Sequence, residues 1–141
     1  MGRERRYLKP GWLTSRVLNP LLMQVGMIPT LAVRGRTSGE WRIVPVNVLE
    51  LDGQRYLVAP RGDTQWVRNL RATGRGELRR RGRVEPFRAI EIPDNEKPRV
   101  IEAYLARWGY QVKGYFKALP DPADHPVFRI ELLSGVDSKR S

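Results

Sequence analysis

The residues best equipped for chemistry in this chain are cationic and sit on turns. The stretch "VRGRTSGEWRIVPVNV", residues 33–48, sets Arg34, Arg36 and Arg42 around a Thr-Ser-Gly turn and then enters a Val/Ile-rich segment. Backbone N–H groups of a tight turn, the hydroxyls of Thr37 and Ser38, and the guanidinium groups of Arg36 and Arg42 can converge on one anion, the arrangement called a nest. It is not a P-loop, because the Lys-Ser/Thr ending is missing and a strand pattern rather than a helix follows. Taken alone, the turn is read more readily as a hairpin with incidental arginines. A second stretch, "APRGDTQWVRNL" at 59–70, ends a strand, turns at Arg61-Gly62 and starts a short helix. Free N–H groups and the positive end of that helix would face whatever fills the loop. Trp66 and Asn69 are three apart and share a helix face, so an aromatic plate, an amide and an arginine could meet at one spot, suited to a flat heterocycle carrying phosphate. Core packing of Trp66 against Leu70 is the plainer alternative.

A third stretch, "RATGRGELRRRGRVEPFR" at 71–88, is rich in arginine but offers only Phe87 for stacking on a base. It reads as a charged outer face or as an electrostatic funnel for an anion. The whole chain carries 26 Lys and Arg against 15 Asp and Glu, a formal +11, so an anionic partner is required: nucleic acid, a membrane surface or a polyanionic small molecule. The excess is local: residues 61–83 hold eight arginines against Asp63 and Glu77, and the first sixteen residues hold a net +4.

Much standard machinery is absent from the composition. There is no Cys and one His, which excludes thiolate chemistry and leaves almost nothing for zinc, so no metal is expected. No Gly-x-Ser-x-Gly elbow exists, and His125, followed by a proline, reads as a surface loop residue, so a nucleophile-and-base hydrolase is unsupported and no catalytic residue can be named. Glu85, Glu91, Glu96 and Glu102 read as partners for neighbouring arginines. No run of about 20 apolar residues is present to cross a bilayer, and no signal peptide is evident, so a cytoplasmic location is expected, with contact at a membrane surface as the alternative.

These stretches need elements to position them. "TSRVLNPLLMQVG" at 14–26 has Val17, Leu18, Leu21, Leu22 and Val25 at helical spacing, interrupted by Pro20, and predicts an amphipathic helix that lids the core or lies on a membrane. Strands are expected at "TLAVR", "WRIVPVNVLELD" and "QRYLVAP", with a hairpin turn at Asp52-Gly53 and Pro45 at a bulge or strand edge. A helix over "DTQWVRNLRATG" is capped by Asp63 or Thr64 and stopped by Gly74. A second hairpin turns at Gly82, a helix follows in "PDNEKPRVIEAYLARWGY" behind Asp94, and "VFRIELL" is the last strand. Hairpins outnumber βαβ patterns, which predicts one α+β domain over 1–141 of about six mostly antiparallel strands with three to four short helices, its sheet curled into a barrel. Residues 1–12 form a basic start and 134–141 a loose tail.

The pair "RGRTSGEWRIVPV" and "YLVAPRGDTQWVRNLRATG" resembles the deazaflavin-dependent nitroreductase family of actinobacteria, split β-barrel oxidoreductases of the flavin-reductase/PNPOx-like type that use coenzyme F420. Its pattern, Gly-Arg-Lys/Thr-Ser-Gly, Arg, Pro-Leu/Val, a Gly-rich loop and Trp-x-x-Asn-Leu, is present in order, and the resemblance covers about residues 10–133. It implies a reductase that passes hydride from C5 of the reduced coenzyme to an electron-poor acceptor such as an enone, quinone or nitro compound. The coenzyme carries a phosphodiester and a polyglutamate tail, which supplies the anion that the charge demands. By resemblance, Arg36, Thr37, Ser38, Gly39 and Arg42 take phosphate and tail. Ile43, Val44 and Pro45, with Ala59, Pro60, Arg61 and Gly62, line the ring, and Trp66 and Asn69 complete the phosphate side. Thr37 and Arg61 stand where the family often has Lys, and Asn47 stands where it often has Tyr. FMN is the alternative cofactor, since related split barrels bind it, and a basic nucleic-acid or membrane-surface module is the alternative class. A small-molecule acceptor, no nucleic acid, and a monomer or homodimer are the expected partners and assembly.

Overall fold

The computed structural model describes residues 28–133. The helix expected at 14–26, the basic start and the tail lie outside them. Seven strands run β1 (Thr30–Arg34), β2 (Trp41–Pro45), β3 (Val48–Leu51), β4 (Gln54–Val58), β5 (Arg75–Arg80), β6 (Arg83–Glu91) and β7 (Val127–Leu132). They form one sheet in the order β2-β1-β5-β6-β7-β4-β3, antiparallel at every pairing. Two α-helices complete the described part, α1 (Gln65–Thr73) and α2 (Lys97–Ala118), with short 3-10 turns at Asp94–Glu96 and Pro122–Asp124.

One expected strand is two. "WRIVPVNVLELD" breaks after Pro45, and its halves become β2 and β3, the two opposite edges of the sheet. Pro45 ends β2 because it has no N–H to extend a ladder, and an edge is where a sheet tolerates it. The backbone N–H of Val46 instead donates to Pro29 O at 3.1 Å. Residues 46 and 47 therefore step across the split, and the curled sheet is left open along that seam. The hairpin chemistry is as expected: Asp52 and Gly53 turn at φ 53° and 75°, and Arg81 and Gly82 at 52° and 80°. These are the paired positive φ values of the primed turns that suit twisted strands.

Alternation along the strands sends residues to two cores. Leu31, Val33, Leu57, Phe87, Phe128 and Ile130 fill the concave side, joined by Val67 and Leu70 of α1. Tyr56, Val58 and Val127 point the other way and meet Val100, Ile101 and Tyr104 of α2. The second helix is much longer than expected, 22 residues, because its apolar positions continue through Val112, Tyr115 and Phe116. It bends at Trp108, whose backbone (φ −122°, ψ 15°) is not helical.

Gly76 of β5 is the direct cross-strand partner of Phe87 in β6, whose ring lies over it. A Cβ there would stand 2.9 Å from Phe87 Cζ and 3.0 Å from the Ala32 carbonyl oxygen, so neither neighbour can yield without disturbing the sheet. Gly76→Ala is expected to cost about 1–3 kcal/mol by overpacking, read from urea unfolding; an unchanged midpoint would show that this contact has slack.

His125 is the largest departure from expectation. It is wholly buried rather than on a surface loop, stacked on Phe116 with ring centroids 4.0 Å apart. Its ring nitrogens lie 3.0 Å from Ala59 O and 2.6 Å from Leu119 O, so it bridges the loop after β4 to the end of α2. Following "DHP", it looked exposed because only the fold brings these two carbonyls to it. His125→Leu keeps the bulk but removes the ring nitrogens that link these two segments, and is expected to cost about 1–3 kcal/mol in urea unfolding and to speed amide exchange at Ala59, Arg61 and Gly62. Wild-type stability and exchange in that variant would remove the bridge from the account.

Candidate functional site

The turn between β1 and β2 is built to hold its shape. Gly35 N–H donates to Glu40 O at 2.8 Å and Gly39 N–H to Gly35 O at 2.9 Å, while Glu40 N–H reaches Ser38 Oγ at 3.1 Å. Gly39 turns at φ 76°, in the left-handed region that glycine enters without strain. Arg34 braces the turn from outside: Nη1 donates to Gly39 O at 2.9 Å, and its guanidinium lies 4.4 Å from the centre of the Trp41 ring, with Arg79 5.0 Å from the same ring.

Helix α1 brings the second motif to the first. Thr64 is its N-cap and Gly74 its left-handed C-cap, with Gly74 N–H on Leu70 O at 2.7 Å. Arg71 pins the helix from its outer face, pairing Nε and Nη2 with the two oxygens of Glu91 at 2.8 and 2.7 Å and Nη1 with Asp63 at 2.8 Å. The hydrogen bond to Glu91 is the main influence raising the Arg71 pKa further above its ordinary value. So held, α1 presents Asn69 to the turn. Arg36 donates both its backbone N–H (3.0 Å) and Nη1 (2.7 Å) to Asn69 Oδ1, and Nη1 also donates to Gln65 Oε1 at 3.0 Å. Asn69 is buried, and its oxygen is engaged with Arg36, so it acts through that arginine.

Between the turn and α1 lies a cavity of about 840 Å³. Of the fourteen residues expected to bind a cofactor, nine line it: Arg36, Thr37, Ser38, Arg42, Ile43, Val44, Arg61, Trp66 and Asn69. Gly39, Pro45, Ala59, Pro60 and Gly62 stand outside the lining. Ala59 has its side chain in the main core at 1% exposure, and Gly62 is buried at φ 88°, so what these two can offer a ligand is backbone. Trp66 serves both readings, tilted against Phe128 at 6.1 Å and walling the cavity.

Gly35, Thr64 and Gln65 also border the cavity, and residue spacing alone did not single them out for a ligand. Gly35 permits the close approach: a Cβ there would meet Ser38 Oγ at 2.9 Å and Arg42 Nε at 3.4 Å. Thr64 is 6% exposed and its Oγ1 has no hydrogen-bond partner, although an N-cap hydroxyl ordinarily accepts from its own helix. An orphaned hydroxyl, the N–H groups of the first turn of α1, and the guanidinium groups of Arg36 and Arg42 form a donor set suited to an oxyanion, beside an apolar wall of Ile43, Val44 and Trp66. A phosphate-bearing cofactor with a flat ring fits this chemistry. Among the described residues no group of His, Asp or Glu could hold a metal ion, and no helix is long and apolar enough to cross a membrane.

At the far end of β2, Asn47 Nδ2 donates to Tyr104 Oη and to Gln111 Oε1, both at 3.3 Å. Burial pushes the Tyr104 hydroxyl above its ordinary pKa, and the Asn47 hydrogen bond offsets only part of that, so the phenol stays protonated.

Solved structures share this architecture. An F420-H2 dependent reductase, FDR-A, superposes with a TM-score of 0.57 at 23% identity, over 74% of this chain and 93% of that one. A FAD-binding protein from Mesorhizobium loti gives 0.54 at 20% identity over 83% and 90%. A putative pyridoxamine 5′-phosphate oxidase from Listeria innocua gives 0.54 at 14% identity over 86% and 94%. They identify the fold as the split β-barrel of the flavin-reductase type. No curated protein matches the chain. The sequence model of the F420H(2)-dependent quinone reductase family matches residues 16–115, which span the turn, both strand edges, α1 and most of α2. With the cationic turn, the α1 clamp and the split barrel in place, the chain belongs to the F420H(2)-dependent quinone reductase family, and it is an oxidoreductase that takes its hydride from reduced coenzyme F420.

Proposed function

We propose that the cavity between the β1–β2 turn and α1 is the coenzyme site, with its phosphodiester and glutamate tail at the turn and its ring along β2. Arg36 and Arg42 supply the charge, and Thr37, Ser38 and the Thr64 hydroxyl supply directed hydrogen bonds. Asn69 and Gln65 hold the Arg36 guanidinium in place before any ligand arrives, so little side-chain ordering remains to oppose binding. Ile43, Val44 and Trp66 give the ring a dry surface, and the backbone of Ala59 and Gly62, held through His125, faces its edge together with Pro45, Pro60 and Arg61. The single observation that carries this reading is the Arg36 clamp beside an unpartnered Thr64 hydroxyl in one cavity.

The bound coenzyme supplies the hydride donor, and an electron-poor acceptor takes the hydride together with a proton. This chain's residues bind, orient and shield. A quinone, enone or nitro compound meets the electronic requirement.

Titration with oxidised coenzyme F420, followed by its fluorescence, tests the assignment. Arg36→Ala and Arg42→Ala are each expected to weaken affinity by tenfold or more, since a charge-assisted contact is worth about 1.5–3 kcal/mol. Asn69→Ala should weaken it several-fold by releasing Arg36, with unfolding still cooperative. Unchanged affinity in both arginine variants, or tight FMN binding with none of the deazaflavin, would overturn the proposal.

A further inference from the structure

A second cavity of about 840 Å³ opens at the other end of the barrel, and its lining is cationic. Arg80, Arg81 and Arg83 from the β5–β6 turn, Arg55 from β4 and Arg107 from α2 border it. Glu50 and Glu85 are the acidic residues of that lining, so five arginines against two glutamates leave +3 around one concavity. Both glutamates are drawn to Arg55, at 3.9 and 3.1 Å, and Glu85 also lies 3.8 Å from Arg83. Among the described residues no carboxylate comes within 4.0 Å of Arg80, Arg81 or Arg107.

The local backbone concentrates this charge. Arg80 and Arg83 are direct partners in the antiparallel ladder, a like-charge pair of the kind that destabilises a sheet. Arg81 holds a left-handed φ of 52°, uncommon for a residue with a side chain. A hairpin that stabilised only itself would gain from relieving both; an anion seated between the guanidinium groups relieves the repulsion. The other wall is flat and polar. Trp108, at the bend of α2, carries the Arg107 guanidinium 4.8 Å from its ring centre, and Asn47 and Gln111 present a hydrogen-bonded amide pair beside it.

Position says which anion. Asn47, which borders the second cavity, lies two residues past the end of β2, and Arg42, Ile43 and Val44 of β2 border the first. The chain thus passes from the wall of one cavity into the wall of the other, and at about 3.3 Å per residue Arg42 and Asn47 are on the order of 15 Å apart. A coenzyme with its phosphate at Arg42 and its ring toward Pro45 directs the ring, not the tail, at the second cavity. We infer that this arginine-lined mouth binds the hydride acceptor, and that it selects a planar acceptor bearing an anionic substituent, a carboxylate, sulfonate or phosphate, with the ring against Trp108 and the anion between Arg80 and Arg83. This inference rests on the coenzyme site proposed above.

A matched pair of quinones tests it: 1,4-naphthoquinone-2-sulfonate and uncharged 1,4-naphthoquinone. Calorimetric titration of the coenzyme-free protein is expected to detect the sulfonate. Its binding should fall at least tenfold in the Arg80→Gln/Arg83→Gln double variant and persist in Arg36→Ala. In steady state the wild type is expected to show a KM for the sulfonate at least tenfold below that for the neutral quinone, a preference that narrows with added salt and in the double variant. Coenzyme F420 affinity, measured by fluorescence, should be unaltered in the double variant, which separates this inference from the coenzyme site. Equal KM values for the two quinones in the wild type, or sulfonate binding lost in Arg36→Ala but kept in the double variant, would overturn the inference. Failure of coenzyme F420 to bind the wild type would overturn the underlying site instead.

Discussion

The hydrogen bonds from Arg36 to Asn69 are the constraint on which the site depends. They join a turn between two edge-side strands to a helix that enters the chain thirty residues later, and they do it through a buried amide oxygen. A guanidinium on an exposed turn would otherwise sample many rotamers, and a flexible cation binds an anion weakly because ordering it costs entropy. Here two side chains of α1 fix the cation, while the remaining guanidinium N–H groups stay available to the cavity. Arg71 makes this possible at one remove, since its contacts to Glu91 and Asp63 set the placement of α1 on the sheet.

The split of the barrel follows from the same economy of elements. Because β2 and β3 form opposite edges of one sheet, the strand that carries Arg42, Ile43 and Val44 has an unpaired side, and a ligand can lie along it without displacing a neighbouring strand. The chain from Arg42 to Val48 borders two cavities of similar size that differ in chemistry. One pairs an apolar wall with a guanidinium clamped by α1, while the other is bordered by five arginines and an indole. In the proposed reading the coenzyme lies along β2 and the acceptor beyond Pro45, so one short segment of chain borders both.

Much of the arrangement was legible from residue types. Asp52-Gly53, Gly74 and Gly82 mark turns by conformational necessity, and the apolar runs of β1, β4 and β7 mark strands, which the fold buries on both faces. Neither the turn at 35–39 nor the stretch at 59–70 was decisive alone, and their resemblance as a pair pointed to one family. Other features were not legible for definable reasons. Pro45 showed that a strand would be disturbed there, but not that its two halves would part to opposite sheet edges, since that depends on which strands compete for their hydrogen bonds. The length of α2 was underestimated because Gly109 and Gly114 weaken the helical pattern that Val112, Tyr115 and Phe116 restore only by packing on the sheet.

What the sequence by itself determined is the inventory: a cationic turn, a capped short helix with an amide on one face, an arginine-dense hairpin and an α+β pattern of strands. Tertiary structure decided the assignments within it. Asn69 borders the cavity with its oxygen held by Arg36, Arg34 braces the turn on Trp41, Thr64 is left with an unpartnered hydroxyl, and His125 leaves the surface to hold the loop after β4. The physical reason is that propensity and charge are properties of a residue and its near neighbours, whereas desolvation and hydrogen-bond satisfaction are set by whichever groups the chain brings within about 3 Å, and those come from far along it.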